Sequence, residues 1–316
     1  MLDLTLGLSA KPHTRAILDG SVQPAGLRLT CINDFGTGGN VGTERHRRIL
    51  AGELAGGEFS AASLLMARSR GARLTALPVF LARGFCHRSM FCRTDAPIQG
   101  PADLRGKHVT VHRYNNTVAV WMRAVLQSEY GVSAEEIHWY VSENDLDGEG
   151  APTGVDVRRI VGSSDHRYGA ELVAAGKLDA VLEAFIYEPF AGIRRIVPDH
   201  REAEAAWFHR TGALPIFHVL VLQSYLLEQH PWLADSLTQA FHEAQRAAPR
   251  FYTESQRAEV DWQASALGRP PDSCTLGECE RRSLQMMHDL LLAEGLLARS
   301  VEVESVFASG ARVSPG

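Results

Sequence analysis

Residues 78–93, PVFLARGFCHRSMFCR, join two apolar runs through a short polar segment that contains Arg83 and His87. Both runs have the composition of strands, which we place at residues 74–82 and 88–93. Buried apolar segments seldom carry an arginine and a histidine without partners, because an unpaired polar group away from water costs free energy. Two interpretations follow. Arg83 and His87 either close a structural hydrogen bond or contact a ligand.

Outward from this stretch, predicted strands alternate with predicted helices. Strands are predicted at residues 2–8, 27–32, 74–82, 88–93, 108–113, 137–141, 178–184 and 215–222. Helices are predicted at residues 13–19, 44–54, 60–70, 116–130, 168–176, 202–210, 230–248 and 278–298. The alternation predicts an α/β fold, and we expect two mainly parallel sheets flanked by helices.

Composition excludes several classes of function. The 316-residue chain has a formal net charge of −5, whereas a nucleic-acid-binding protein usually has a basic surplus. No apolar run of about 18 residues is present, so we expect no contact with a membrane. The first residues, MLDLTLGLSAKP, lack the features of a secretion signal, and a cytoplasmic location is therefore expected. The five cysteines match no zinc-binding spacing, and no metal site is predicted.

Five blocks of the chain form a longer ordered pattern. They are TRAILDGSVQPAGLRL (14–29), GEFSAASLLMARSRGARLTALPVFLARGFCH (57–87), GPADLRGKHVTVHRYNNTVAVWMRAVLQSEYGV (100–132), RRIVPD (194–199) and RTGALPIFHVLVL (210–222). Together they resemble the 4,5-dihydroxyphthalate decarboxylase family, whose fold is similar to that of the type II periplasmic solute-binding proteins. The resemblance implies a two-lobed fold, with residues 1–94 plus 210–316 in lobe I, 95–209 in an inserted lobe II, and a ligand cleft between the lobes.

Three positions depart from the family pattern. Pro12-His13-Thr14 stands where the family often has an Asp-Arg pair before the threonine, and Arg113 stands where an acidic residue is common. A glycine-rich insertion occupies residues 36–42, where we expect a flexible loop at the mouth of the cleft. These departures leave the identity of the substrate open.

The resemblance implies a cofactor-independent decarboxylation of a hydroxylated aromatic acid. In such a reaction the ring carbon that bears the carboxylate is protonated first, CO₂ then leaves, and aromaticity returns. The protein must hold the carboxylates, supply a proton and polarise the phenol. We expect a small-molecule carboxylate as the substrate and no cofactor, while the oligomeric state, a homo-oligomer included, stays open.

Candidate residues follow from these roles. Arg83 is predicted to clamp a substrate carboxylate, because a guanidinium can form a bidentate fork; its alternative is a buried ion pair with an acid such as Glu58. His87 and His218 are candidate proton donors, since histidine titrates near neutrality, and either could instead be a satisfied core residue. Glu58 could orient a histidine or accept the phenolic proton, or it could simply favour a helix N-terminus.

A segment at a predicted helix start is the candidate anion-binding site. Tyr114, Asn115, Asn116 and Thr117 lie between a strand and a helix, where free backbone N–H groups and the helix dipole favour an anion. The alternative is plain capping of that helix by Asn116 or Thr117.

Two other classes of function remain alternatives. The chain could be a non-catalytic cytoplasmic protein that binds or senses a small carboxylate. It could also be a lyase that acts on a non-aromatic acid in a biosynthetic pathway.

Overall fold

The computed structural model describes residues 1–35, 41–142, 152–162, 165–184, 189–271 and 274–308. The glycine-rich loop predicted at residues 36–42 therefore lies largely outside the described residues. No helix in the described part of the chain is both long enough and apolar enough to cross a lipid bilayer.

The element order alternates as the sequence predicts. The strands are β1 (Leu2–Gly7), β2 (Leu27–Ile32), β3 (Gly56–Ser60), β4 (Leu74–Arg83), β5 (Met90–Arg93), β6 (His108–Thr110), β7 (His138–Ser142), β8 (Val157–Ile160), β9 (Ala180–Leu182), β10 (Ile193–Arg195) and β11 (Ile216–Gln223). The helices are α1 (Arg15–Leu18), α2 (Val41–Leu50), α3 (Ala61–Ser69), α4 (Thr117–Tyr130), α5 (Tyr168–Ala174), α6 (His200–Thr211), α7 (Ser224–Gln229), α8 (Trp232–Ala247), α9 (Glu254–Leu267) and α10 (Glu278–Ala293).

The chain divides into two compact units. Unit 1 comprises Met1–Arg83, Ile216–Gln285 and Arg299–Gly316, and unit 2 comprises Gly84–Pro215 and Met286–Ala298. The boundaries differ from those expected at residues 94 and 210. β5 belongs to the sheet of unit 2, because it forms its hydrogen bonds with β9 and β10. The second half of α10 also belongs to unit 2, whereas the sequence placed all of residues 210–316 in one lobe.

Unit 1 contains a five-stranded sheet with the order β2-β1-β3-β11-β4. β1 pairs in parallel with β2 and β3, whereas β11 is antiparallel to both β3 and β4. One face of the sheet packs on α8, in which Leu233, Leu237, Phe241 and Ala244 recur every three or four residues and are buried in the core. The periodicity that predicts this helix therefore also identifies its buried face.

Unit 2 contains a six-stranded sheet with the order β10-β5-β9-β6-β7-β8. β6, β7, β8 and β9 run parallel, while β5 is antiparallel to both of its neighbours. The α/β class is confirmed, and each sheet is mixed: one strand, β11 in unit 1 and β5 in unit 2, runs against strands that otherwise share one direction. The antiparallel strands are β5 and β11. Each is the first strand after the chain passes from one unit into the other.

Several elements lie where the sequence predicted none. They are β3, with the sequence Gly-Gly-Glu-Phe-Ser, and β8, β10, α7 and α9. β3 is the most consequential, because it occupies the centre of its sheet and carries Glu58. A Cβ atom on Gly57 would overlap the carbonyl oxygen of Gly7 on β1. Glycine at position 57 therefore permits the close approach of β3 and β1.

Candidate functional site

The candidate site in unit 1 lies at one edge of the sheet. β1, β3 and β4 run in the same direction, so their carboxyl ends lie at the same edge, and the antiparallel β11 begins there. Lys11 follows β1, Glu58 is the middle residue of β3, and His218 lies near the start of β11. Ligands in open α/β sheets commonly bind at this edge.

Glu58 and His218 form a close side-chain pair. Nδ1 of His218 lies 2.5 Å from Oε1 of Glu58. Glu58 is opposite Leu220 in the ladder, and His218 is opposite Ser60, so the two side chains are diagonal neighbours on one face of the sheet. Glu58 is fully buried, whereas 28% of the His218 side chain is exposed. The histidine is thus the accessible member of the pair.

Two cations and a backbone donor complete the surroundings of Glu58. Nζ of Lys11 lies 2.7 Å from Oε1, and Nη1 of Arg45 lies 3.8 Å from Oε2. The backbone N–H of Ser9 donates to Oε2 at 2.9 Å. Arg45 is itself buried and also donates from Nε to the backbone carbonyl of Glu58 at 2.8 Å. A buried carboxylate needs such partners, and here every one of them favours its charged form.

The electrostatics define the protonation states of the pair. Burial alone would raise the pKa of Glu58, but Lys11, His218 and Arg45 outweigh it and hold this pKa well below its usual range. Burial lowers the pKa of His218, and Glu58 opposes this effect only in part. Near neutral pH the pair is therefore an ionised carboxylate and a neutral imidazole. Because a carboxylate can only accept, Nδ1 carries the imidazole proton and Nε2 is the basic nitrogen.

The sequence did not identify Lys11, Arg45 or His46 as part of this site. His46 accepts a hydrogen bond at Nε2 from the backbone N–H of Ser60 at 3.0 Å, and its ring lies 6.5 Å from that of His218. A usable signal existed, because Arg45 lies one helical turn before the buried Ile49 and so shares its inward face.

Arg83 pairs with groups of unit 1. Its Nη2 lies 2.6 Å from Oε1 of Glu280, and its Nη1 donates to the carbonyl oxygen of Pro271 at 2.5 Å. Arg269 also reaches Glu280, at 2.9 Å. Burial raises the pKa of Glu280, but the two arginines more than compensate and lower it to about 2. The buried ion pair is thus the alternative that the geometry favours over a carboxylate clamp, with Glu280 as the acid in place of Glu58.

His87 is fully buried in unit 2, in a short turn at His87–Ser89. Its ring lies 6.2 Å from that of Trp207 and 6.4 Å from that of Tyr130. Neither ring nitrogen has a hydrogen-bond partner among the described residues. Burial, with smaller contributions from Arg210 and His200, lowers the pKa of His87 to about 4. A neutral imidazole surrounded by aromatic rings is poorly suited to donate a proton, and the geometry favours the interpretation of His87 as a core residue.

The segment predicted to bind an anion divides between two roles. Asn116 caps α4, where its side chain accepts from the backbone N–H of Ala119 at 2.7 Å. Tyr114 and Thr117 are buried, and the guanidinium of Arg123 lies 3.8 Å above the Tyr114 ring. Asn115 is partly exposed. Anion binding by Asn115 and by the backbone of this segment stays a prediction.

A separate group in unit 2 has the residue types of a metal site. One potential ligand atom from each of His112, His166 and Glu183 lies within 4.8 Å of the others, and no other group of this kind occurs among the described residues. No member of the group was predicted from sequence, because the three residues lie in separate segments of the chain and share no local spacing.

Comparison with known proteins supports the resemblance inferred from the sequence. No family model matches the chain. The chain is 34% identical over 195 residues to the 4,5-dihydroxyphthalate decarboxylase of Comamonas testosteroni, a match that covers 58% of each protein. It is 32% identical over 111 residues to the enzyme of the same name from Pseudomonas putida, covering 34% of this chain and 43% of that protein. The matches thus span about half the length of these curated relatives.

Solved structures define the fold. The periplasmic aliphatic sulphonate binding protein SsuA of Escherichia coli superimposes with a TM-score of 0.62 at 13% identity, covering 100% of this chain and 95% of that one. The predicted fold class is therefore confirmed as that of the periplasmic binding proteins. The predicted similarity to 4,5-dihydroxyphthalate decarboxylases is confirmed as well.

Proposed function

We propose that this chain is a carboxy-lyase that removes CO₂ from a hydroxylated aromatic acid of the phthalate type. The observation that carries the proposal is the Glu58–His218 pair, a buried anion bonded to a partly exposed neutral imidazole. The similarity to two 4,5-dihydroxyphthalate decarboxylases supports the class of reaction and of substrate. The roles that follow are assigned on that basis.

His218 is the proposed base. Its Nε2 accepts the proton of a hydroxyl group ortho or para to the departing carboxylate, which moves electron density into the ring. The carbon that bears the carboxylate then takes a proton that originates in solvent, and a dienone forms. When CO₂ leaves, the electrons of the broken C–C bond restore the aromatic ring, and the imidazolium returns its proton to the oxygen. Proton transfer of this kind contributes about 10²- to 10⁴-fold to a rate.

Glu58 is the proposed stabiliser of the imidazolium. Its carboxylate lies 2.5 Å from Nδ1 of His218, so the positive charge that forms on the ring meets a fixed negative charge. Lys11 and Arg45 keep Glu58 ionised and prevent it from taking the proton itself. We propose that the step needs no organic cofactor or metal. Full turnover after exhaustive dialysis against a chelator is the expected result, and lost turnover that returns only with added metal would contradict this part.

The test compares two variants with a control. His218→Gln is expected to lower kcat on 4,5-dihydroxyphthalate by about 10²- to 10⁴-fold, and Glu58→Gln by about 10²-fold, because both remove the proposed base or its stabiliser. His138→Ala, at a partly exposed histidine of unit 2, is the control and should keep wild-type kcat. In D₂O the product should carry deuterium at the carbon that loses CO₂. Circular dichroism checks that each variant is folded.

The pH profile provides a second readout. His218 must be neutral to accept a proton, and its pKa is lowered. The acid limb of kcat/KM is therefore expected below pH 6.5, the ordinary pKa of histidine, with activity lost as the pH falls through the lowered pKa of His218. Saturable binding without release of CO₂ would instead support a binding protein, and turnover of a non-aromatic acid alone would support another lyase.

A further inference from the structure

A second polar group lies at the carboxyl edge of the sheet in unit 2. β6 and β9 are parallel neighbours, so the residues that follow them emerge at the same edge. His112 follows β6 by two positions, and Glu183 follows β9 directly. His166 precedes α5, which packs on β9. Three separate segments of one unit thus bring two imidazoles and one carboxylate together.

The distances within the group are short enough for the three side chains to share one metal ion. Nδ1 of His166 lies 3.1 Å from Oε2 of Glu183, and the rings of His112 and His166 lie 3.9 Å apart between centroids. The potential ligand atoms all lie within 4.8 Å of one another. Ligands about 2.0–2.2 Å from a tetrahedral ion are separated by about 3.4 Å, so small side-chain movements would suffice.

The surroundings also favour an ion. Glu183 is buried, and a buried carboxylate needs compensating charge or hydrogen bonds. The wall of the small cavity at the group also includes Thr110 and Tyr168.

We propose that His112, His166 and Glu183 form a binding site for a divalent transition-metal ion such as Zn²⁺. Two imidazoles and one carboxylate suit borderline metals, and three protein ligands leave a position for water or another oxygen ligand. The ion would link the ends of β6 and β9 to the segment before α5. Its proposed role is to hold these segments of unit 2 in place. It takes no part in the proton transfer proposed for Glu58 and His218.

Metal binding is tested on the full chain without substrate. After dialysis against a chelator, Co²⁺ is titrated into the protein and followed by its visible absorption, and the stoichiometry is repeated with Zn²⁺ by calorimetry. We expect about one ion per chain. X-ray absorption at the zinc edge should show nitrogen and oxygen ligands at about 2.0–2.2 Å, with the scattering of imidazole and no sulfur.

Matched variants locate the site. His112→Ala and Glu183→Gln should each weaken Co²⁺ binding by about tenfold to a hundredfold or more, since even the groups that support metal ligands have effects of that size. The amide of Glu183→Gln can still accept the hydrogen bond from His166, so that variant tests the charge with least risk to folding. His138→Ala, in a histidine–aspartate pair of the same unit with 2.7 Å between Nδ1 and Oδ2 of Asp156, should bind as wild type does.

Three results would overturn the proposal. They are failure of the wild-type chain to bind a stoichiometric ion, equal weakening by His112→Ala and His138→Ala, or a zinc shell that contains sulfur. In any of these cases the group is a hydrogen-bonded stack of side chains. Because the readout is binding alone, each result is independent of whether the chain decarboxylates any acid.

Discussion

At the scale of single residues, the partner of a polar side chain decides its role. Arg83 and His87 are close in sequence and were both candidates for ligand contact. Arg83 forms an ion pair with Glu280, 197 positions later in the chain, and the ring of His87 lies beside the rings of Trp207 and Tyr130. His218 meets Glu58 and keeps an accessible edge. Residue type alone does not distinguish a buried ion pair, a core histidine and an accessible histidine.

The burial of His87 predicts a pH dependence of stability. Its pKa is about 4 in the folded chain and about 6.5 for an ordinary histidine, so the unfolded chain binds the proton more readily between these values. The stability that the neutral ring contributes is complete above pH 6.5 and is lost as the pH falls towards 4. The total is about 3 kcal/mol, from 1.36 kcal/mol for each pKa unit.

The variant His87→Phe removes this titration while keeping an aromatic ring beside Trp207 and Tyr130. Its free energy of unfolding, measured with urea between pH 7 and pH 4.5, should fall less steeply than that of the wild type. His209→Gln, at an exposed histidine of α6, is the control and should follow the wild-type curve. Parallel curves for wild type and His87→Phe would show that His87 is not held neutral by burial.

At the scale of elements, local patterns predict the helices better than the central strand. The stretch from Asn116 to Gly131 contains both a capping residue and a terminating glycine, and α4 begins and ends at these signals. β3 carries no comparable signal, because its two glycines lower the β propensity of a five-residue strand. Its strand conformation depends on pairing with β1 and β11, which are remote in sequence.

Gly57 provides a test of this close approach. Its φ of +148° is one that side chains rarely adopt, and a Cβ atom would overlap the backbone of Gly7. Gly57→Ala should therefore destabilise the fold by about 2–5 kcal/mol, the sum of overpacking and backbone strain. Thermal and urea unfolding measure the loss. Gly100→Ala, where a Cβ would meet nothing within 4 Å, should change the stability little, and equal effects at both positions would contradict this account.

At the scale of the whole molecule, the chain passes repeatedly between its two units. The C-terminal passage is the least expected, because α10 begins in unit 1 and residues 286–298 belong to unit 2. Glu294 secures this segment to α4 through a bidentate ion pair with Arg123, in which both N–O distances are 2.7 Å. Arg123 also donates to the carbonyl oxygen of Tyr114 at 2.6 Å.

Loss of that buried pair should loosen unit 2. Glu294→Gln leaves Arg123 charged and buried, and breaking a buried pair costs about 3–5 kcal/mol. Hydrogen exchange of the α4 amides is expected to accelerate accordingly. Glu304→Gln, which removes an exposed pair with Arg281 at 2.7 Å, should cost about 0–1 kcal/mol. Equal protection of α4 in both variants would show that Glu294 does not secure the segment.

The sequence by itself determined the α/β alternation, the apolar face of α8, the ends of α4 and the similarity to decarboxylases of phthalate-like acids. These features are encoded by residues within one or two turns of each other, or by blocks in a fixed order. Only the tertiary structure decided which polar residues meet. Glu58 and His218 are 160 positions apart, and their contact depends on a strand that the sequence does not reveal. Pairing of side chains across a sheet follows from register and topology, and neither is readable from local spacing.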